Sequence, residues 1–166
     1  TSILRTLHKI SYDSGAYCII PNARGSIRSK EPSDVLREVR SLTENGCREV
    51  VLTGIETAAY GRDLEDTDLI TLLKKIDKIE GIERIRLGSL DPSFCNEKFA
   101  KAAAELTHLC HHFHLSLQSG CDATLKRMNR HYTTRDFEQF VNTARRLVPG
   151  IHLGSDIIAG FPGETD

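Results

Sequence analysis

The stretch "EPSDVLREVRSLTENGCREVVLTGIET", Glu31 to Thr57, sets a segment of helical period directly before a short β-branched run. Pro32 stands in the first turn, where its missing N–H costs nothing, and Val35, Leu36, Val39 and Leu42 fall on one face. Gly46 is the C-terminal stop. "REVVLTG" then reads as a strand that ends in small and polar residues. A helix followed at once by a strand is the repeat from which parallel sheets are built.

The same unit recurs on both sides. "LHKIS" (Leu7 to Ser11) reads as the first strand, and the residues before it also enter a strand directly. "DLITLLKKIDKIEG" repeats the helix pattern with Leu69, Leu72, Leu73 and Ile76, and "IERIRLGSL" is the third strand. "NEKFAKAAAELTH" leads into the fourth strand, "HFHLSLQSG"; "DATLKRM" and "TRDFEQFVNTARRLV" lead into the fifth, "IHLGSDIIAGF". This rhythm predicts parallel βαβ units with right-handed crossovers. A doubly wound open sheet and a (βα) barrel share it. The absence of a GxGxxG or GxxxxGK[ST] turn weakens the dinucleotide and P-loop readings, and a partial barrel is favoured.

Composition adds bounds. The 166 residues, 39% hydrophobic and 27% charged, suit one domain with a real core, and a net charge of -1 leaves nucleic-acid contact to a local basic patch. Five scattered cysteines (Cys18, Cys47, Cys95, Cys110, Cys121) without a CxxC pair read as a reducing, cytoplasmic setting. No apolar run approaches the roughly 20 residues of a membrane span. Both ends read as cut, with "GFPGETD" the kind of turn that precedes another helix.

In either architecture, function gathers at the carboxyl ends of the strands. Those ends read "SYDSGAYC", "TGIET", "GSLDP", "LQSG" and "GFPGE". Any one of them is an ordinary turn; five together, presenting amides, hydroxyls and carboxylates to one face, predict a ligand site.

"YCIIPNARGSIRS", "EVVLTGIETAAYG", "IRLGSLDP", "HLSLQSGCDATLKRMNRHYT" and "DIIAGFPGET" stand in the order and spacing of the radical S-adenosylmethionine methylthiotransferases. The chain resembles this family over nearly its whole length, most closely the branch acting on tRNA N6-threonylcarbamoyladenosine. The resemblance implies an α/β fold, a partial (βα)6 TIM-like barrel of the radical SAM type truncated at its C-terminal end. Residues 1–166 would be the radical domain, without the family's N-terminal cluster domain and C-terminal TRAM domain. It also implies a [4Fe-4S] cluster, S-adenosylmethionine as cofactor, tRNA as partner, a flavodoxin- or ferredoxin-type electron donor, a sulfur donor, and no membrane. The expected reaction inserts a methylthio group at C2 of N6-threonylcarbamoyladenosine beside the anticodon. Methylthiolation of a ribosomal protein aspartate, and a cluster-less barrel that binds nucleoside or RNA without catalysis, are the alternatives.

The family's cluster loop reads CxxxCxxC, three thiolates for three irons. Here Cys18 takes the third position, while Ser11 and Gly15 stand at the other two; glycine offers no ligand and serine a poor one. A loop that has lost residues between Ser11 and Cys18, replaced cysteines, and a domain that has given up the chemistry all answer to this pattern. By the same resemblance Tyr17 lies near the adenine; Thr53, Gly54 and Glu56 receive the cofactor's amino group; and Ser89, Asp91, Ser116 and Gln118 meet its carboxylate or ribose. Asp156 and Gly160 flank adenine. These residues bind rather than catalyse.

Arg24, Arg28 and Lys30, with Lys126, Arg127 and Arg130, form basic stretches that would hold tRNA phosphate or the cofactor carboxylate, with a solvated loop as the ordinary alternative. Glu164 reads as a helix cap rather than a ligand. The histidines of "HLCHHFH" invite a metal reading, but strand alternation sends His112 and His114 to one face and His111 to the other, with no companion carboxylate cluster.

Overall fold

The computed structural model describes residues 1–5, 7–9, 27–54 and 56–164. Among them, the alternation of short strands and amphipathic helices builds two parallel sheets joined by single bridges. Strands β1 (Ser2–Arg5), β4 (Glu49–Thr53) and β5 (Arg84–Leu87) pair in parallel, with Leu4 opposite Leu52 and Leu52 opposite Leu87. Strands β6 (His112–Gln118) and β7 (His152–Ile157) pair in parallel as well. Single bridges, Ile85 to Leu109 and Leu90 to Leu115, join β5 to the β6 side, so the order runs β1-β4-β5-β6-β7. This is the partial barrel expected from the sequence.

The first strand needs correction. Leu7–Lys9 is not the barrel's leading strand; it forms β2, which pairs antiparallel with β3 (Arg28–Ser29) as a separate two-stranded element. The barrel begins instead at Ser2–Arg5, where Leu4 is fully buried. Both stretches carry a strand pattern, and periodicity cannot say which partner each will find. Ile10 and Ser11 lie outside the described residues.

The helices cover one face of the sheet. Helix α1 (Pro32–Glu44) buries Val35, Val39 and Thr43, one turn apart. It closes as the sequence predicts, Gly46 adopting a φ of 83° while the Cys47 N–H reaches the Leu42 carbonyl at 2.9 Å. Helix α2 (Leu69–Ile76) starts where the Asp68 side chain accepts the Thr71 N–H at 2.7 Å, and buries Leu69, Leu72, Leu73 and Ile76. Helix α3 (Glu97–Glu105) is capped by Asn96; after the short α4 (Asp122–Arg127), α5 (Thr134–Leu147) opens with a reciprocal Thr133–Asp136 capping box.

Strand alternation assigns the two faces. Val50, Leu52, Ile85, Leu87, Phe113 and Leu115 are buried beneath the helices, where Phe99 of α3 packs against Phe94, Phe113 and Phe140 at ring separations of 5.1, 5.2 and 6.4 Å. The opposite, open face carries Glu49, Arg84 and Arg86 near the amino ends, the Glu49 carboxylate accepting from Arg84 Nε at 2.5 Å and lying 3.4 Å from Arg86 Nε. Farther along, the same face becomes less charged and more polar, and that end carries the candidate residues.

Candidate functional site

Strand geometry gathers the sequence-predicted residues by a chain of short contacts. Thr53 ends β4, and the Gly88 N–H binds the Leu52 carbonyl beside it at 2.9 Å. A Cβ added to Gly88 would stand 3.3 Å from Thr53 Oγ1 and 3.6 Å from Thr57 Oγ1, so glycine leaves a hollow between two hydroxyls. Thr57 is fully buried and its Oγ1 has no hydrogen-bond partner among the described residues. A buried hydroxyl in that state costs about 1–3 kcal/mol, which a polar group seated there would relieve. Thr57 follows the "TGIET" glycine in sequence, but nothing short of the fold shows its hydroxyl turned inward.

From Gly88 the chain runs across the sheet. Ser89 Oγ lies 3.0 Å from His114 Nδ1, and His114 Nε2 lies 3.3 Å from Asp156 Oδ1. Strands β6 and β7 and the segment just after β5 thus contribute one side chain each to a continuous polar row. Sequence alternation placed His114 on the same face as His112, and the buried Phe113 and Leu115 on either side of His114 bear that out. It gave no sign that His114 would join two of the predicted residues.

Ser116 and Gln118 sit where β6 loses its regular register. Gln118 has a φ of 69°, in the left-handed region that a long side chain seldom occupies, and the pairing with β7 shifts between Leu115 and Gln118. The Ser155 hydroxyl fills the gap, donating to the Leu115 carbonyl at 2.8 Å and accepting from the Leu117 N–H at 3.4 Å. Behind it, the buried Tyr132 hydroxyl reaches the Ser116 and Leu117 carbonyls at 2.8 and 3.0 Å. A bulge so heavily supported holds the Gln118 backbone in this conformation at the carboxyl end of β6.

Other predicted residues stand apart from this row. Glu56 lies 4.0 Å from Arg62, with 17% of its side chain exposed. Gly160 adopts a φ of 73° with open space at its Cα. The Glu164 carboxylate accepts the Phe161 N–H at 2.9 Å, capping the terminal turn. Arg28 is exposed, and Lys30 is paired with Glu38 of α1. Arg130, only 14% exposed, lies 3.8 Å from Asp91. Ser11, Gly15, Tyr17, Cys18 and Arg24 lie outside the described residues.

Cysteine chemistry separates the cluster from the cofactor. Cys47 Sγ is 3.1 Å from the Glu49 carbonyl and 3.4 Å from Ser2 Oγ, at the amino end of the sheet. Burial pushes the Cys95 thiol well above its usual range. Cys121 is exposed at the start of α4, its thiol lowered chiefly by the Thr124 N–H and hydroxyl. With Ser11 and Gly15 in place of two thiols, the donor set does not fit a cluster held by three cysteines. The hydroxyls, amide and carboxylate at the strand ends do fit a nucleoside-bearing cofactor. Among the described residues, no helix is long and apolar enough to cross a membrane.

Comparison with known proteins agrees with this architecture. Residues 16–166 match the profile of the radical SAM superfamily, and the chain belongs to that superfamily. It is 41% identical over 98% of its length to a tRNA-2-methylthio-N(6)-dimethylallyladenosine synthase of Desulfitobacterium hafniense, of which it covers 37%. It is 39% identical over 90% of its length to the threonylcarbamoyladenosine tRNA methylthiotransferase MtaB of Bacillus subtilis, of which it covers 34%. The chain therefore spans about a third of these relatives. Among solved structures, the radical S-adenosylmethionine methyltransferase TsrM of Kitasatospora setae, with cobalamin and a [4Fe-4S] cluster bound, superimposes with a TM-score of 0.77 at 23% identity, over 99% of this chain and 32% of that one. The cobalamin-dependent radical enzyme OxsB does so with a TM-score of 0.73 at 15% identity, over 94% and 23%. Both likenesses concern the fold.

Proposed function

We propose that the chain is the radical domain of a tRNA methylthiotransferase that places a methylthio group at C2 of N6-threonylcarbamoyladenosine. The observation that carries this reading is the 39–41% identity, over at least nine-tenths of the chain, to enzymes named for two N6-modified adenosines of tRNA. The "CIIPNARGSIRS" and "LQSGCDATLKRMNR" motifs lean toward tRNA over a ribosomal protein, and the threonylcarbamoyl form is preferred on the resemblance of the five ordered motifs to that branch, with the Bacillus subtilis relative beside it. S-adenosylmethionine would supply the radical and methyl chemistry only beside a reduced cluster, for which Cys18 would need thiolates other than positions 11 and 15. The chain's own residues orient it. Thr53, Thr57 and the hollow at Gly88 accept one polar end, while Ser89, Ser116, Gln118 and Asp156 offer partners to the nucleoside. Exposed Arg28, with Arg24, serves tRNA phosphate, and Arg130, 14% exposed beside Asp91, would do so only by leaving that contact. An electron donor of flavodoxin or ferredoxin type and a sulfur donor complete the reaction.

A second reading, a cluster-less barrel that binds nucleoside or RNA, is favoured by Ser11 and Gly15. A chimera decides between them, with residues 1–166 replacing the matching third of the Bacillus subtilis enzyme in a host lacking its own. Product only after Ser11→Cys and Gly15→Cys restore the thiolates would favour the second reading, whereas on the first reading mass spectrometry of tRNA nucleosides should show methylthio-threonylcarbamoyladenosine in the unaltered chimera. Its absence there would refute the enzymatic reading, and methylthio-dimethylallyladenosine in its place would correct the substrate.

A further inference from the structure

The Ser89–His114–Asp156 row has a polarity that its chemistry determines. His114 Nε2 lies 3.3 Å from Asp156 Oδ1, and since a carboxylate only accepts, this contact favours a ring that turns an Nε2–H rather than a lone pair toward it. In the neutral imidazole the other nitrogen is then an acceptor, and it takes the Ser89 hydroxyl proton. Ser89 is left with lone pairs, Asp156 with its second oxygen, and neither has a proton to offer. His114 is 29% exposed and Asp156 74% exposed, so the row is open to a ligand from solvent.

The backbone is arranged to allow this. His114 stands directly opposite Gly154 in the β6–β7 register, and a Cβ on Gly154 would come within 3.3 Å of His114 Cδ2. Glycine there lets the imidazole lie over β7 and reach Asp156, two residues farther along the same face. On the other side, the Leu90–Leu115 bridge holds β5 against β6, its Leu90 N–H on the His114 carbonyl at 2.8 Å and the Ser116 N–H on the Leu90 carbonyl at 3.0 Å. Ser89 is thereby carried within reach of the ring.

We propose that His114 is a positioning residue, which sets Ser89 and Asp156 as an acceptor-only pair and so selects a hydrogen-bond donor, a hydroxyl or amine, on the nucleoside bound at the strand ends. The inference rests on the cofactor reading of that site for its ligand, but the polarity itself does not.

Two measurements separate the two. Nitrogen-resolved NMR of the histidine rings in the unliganded protein at neutral pH should find His114 protonated at Nε2 and bare at Nδ1, with Asp156→Ala or Gly154→Ala mixing the tautomers. Calorimetric titration with S-adenosylhomocysteine should show about tenfold weaker binding for His114→Phe, which keeps a ring but loses the Ser89 hydrogen bond and the Asp156 contact. His114→Asn, with its amide near the Nδ1 position, and His114→Gln, with its amide near Nε2, should each recover part of the loss. An Nδ1–H tautomer, or unchanged affinity in His114→Phe, would overturn the proposal. If the expected tautomer is present and the unaltered protein still binds no S-adenosylhomocysteine, the cofactor reading fails, and the assigned ligand fails with it.

Discussion

Ser29 and Asp63 are joined twice. The Ser29 N–H lies 2.8 Å from one carboxylate oxygen and its hydroxyl 2.5 Å from the other, while the Gly61 N–H donates to the same hydroxyl at 2.9 Å. Next to them, the Tyr60 hydroxyl reaches the Lys30 carbonyl at 2.8 Å, and burial drives its pKa upward. Strand β3 is thus pinned to the loop that follows β4, the loop that carries Glu56.

This clamp gives a pH signature. Partial burial works to raise the Asp63 pKa, but the Ser29 hydrogen bonds outweigh it and hold the carboxyl below the usual carboxylate range. A depressed folded-state pKa contributes stability that is present above the unfolded value of about 3.9 and is lost as pH falls through the folded one. Asp63→Asn should therefore cost about 1 kcal/mol at neutral pH, and its deficit against the unaltered protein should shrink below about pH 4. Urea midpoints at the two pH values measure this. A deficit independent of pH would mean that the charge is not what matters.

Two glycines of positive φ should respond differently to alanine. At Gly61, with a φ of 87°, a Cβ would stand 2.4 Å from the Thr67 carbonyl oxygen, whereas at Gly46 nothing lies within 4 Å. Gly46→Ala should cost only the backbone conformation, about 1 kcal/mol, and Gly61→Ala at least about twice that. Equal losses in chemical denaturation would show that the Thr67 approach yields freely.

Gln118 should trade stability for function. Gln118→Gly removes the strain of its left-handed backbone and should stabilise the fold by about 1 kcal/mol in thermal melts. The same change removes the amide and should weaken S-adenosylhomocysteine binding about tenfold. A variant that is both stabler and binds as tightly would remove Gln118 from the site.

The aromatic cluster should behave as core. Phe99 is 1% exposed amid three other rings, and Phe99→Ala should cost about 3–5 kcal/mol. A loss under about 1 kcal/mol would mean that the neighbouring rings collapse into the space.

How much of this was legible follows from what periodicity can carry. Val35, Val39, Leu69, Leu72 and Phe113 advertise their burial through local spacing, and the strand ends follow from where the apolar runs stop. The leading strand was misplaced because Ser2–Arg5 and Leu7–Lys9 both suit a strand, and only long-range pairing tells them apart. The bulge at Gln118 depends on Ser155 and Tyr132, and the His114 row on residues 25 and 42 positions away; such contacts exist only once parallel register is set. Thr57 and Asp63 escaped for the same reason. Motif resemblance named the candidate residues at the strand ends, but not the hydrogen bonds that hold them.

The central claim is that the carboxyl ends of β4 to β7 form the cofactor site. Mapping backbone amide shifts while S-adenosylmethionine is added to the protein tests it most directly. The account predicts saturable shifts concentrated at Gly54, Gly88, Ser89, Gln118 and Asp156. No shifts, or shifts confined to the basic groove of Arg40, Arg48 and Lys78 between the ends of α1 and α2, would contradict it.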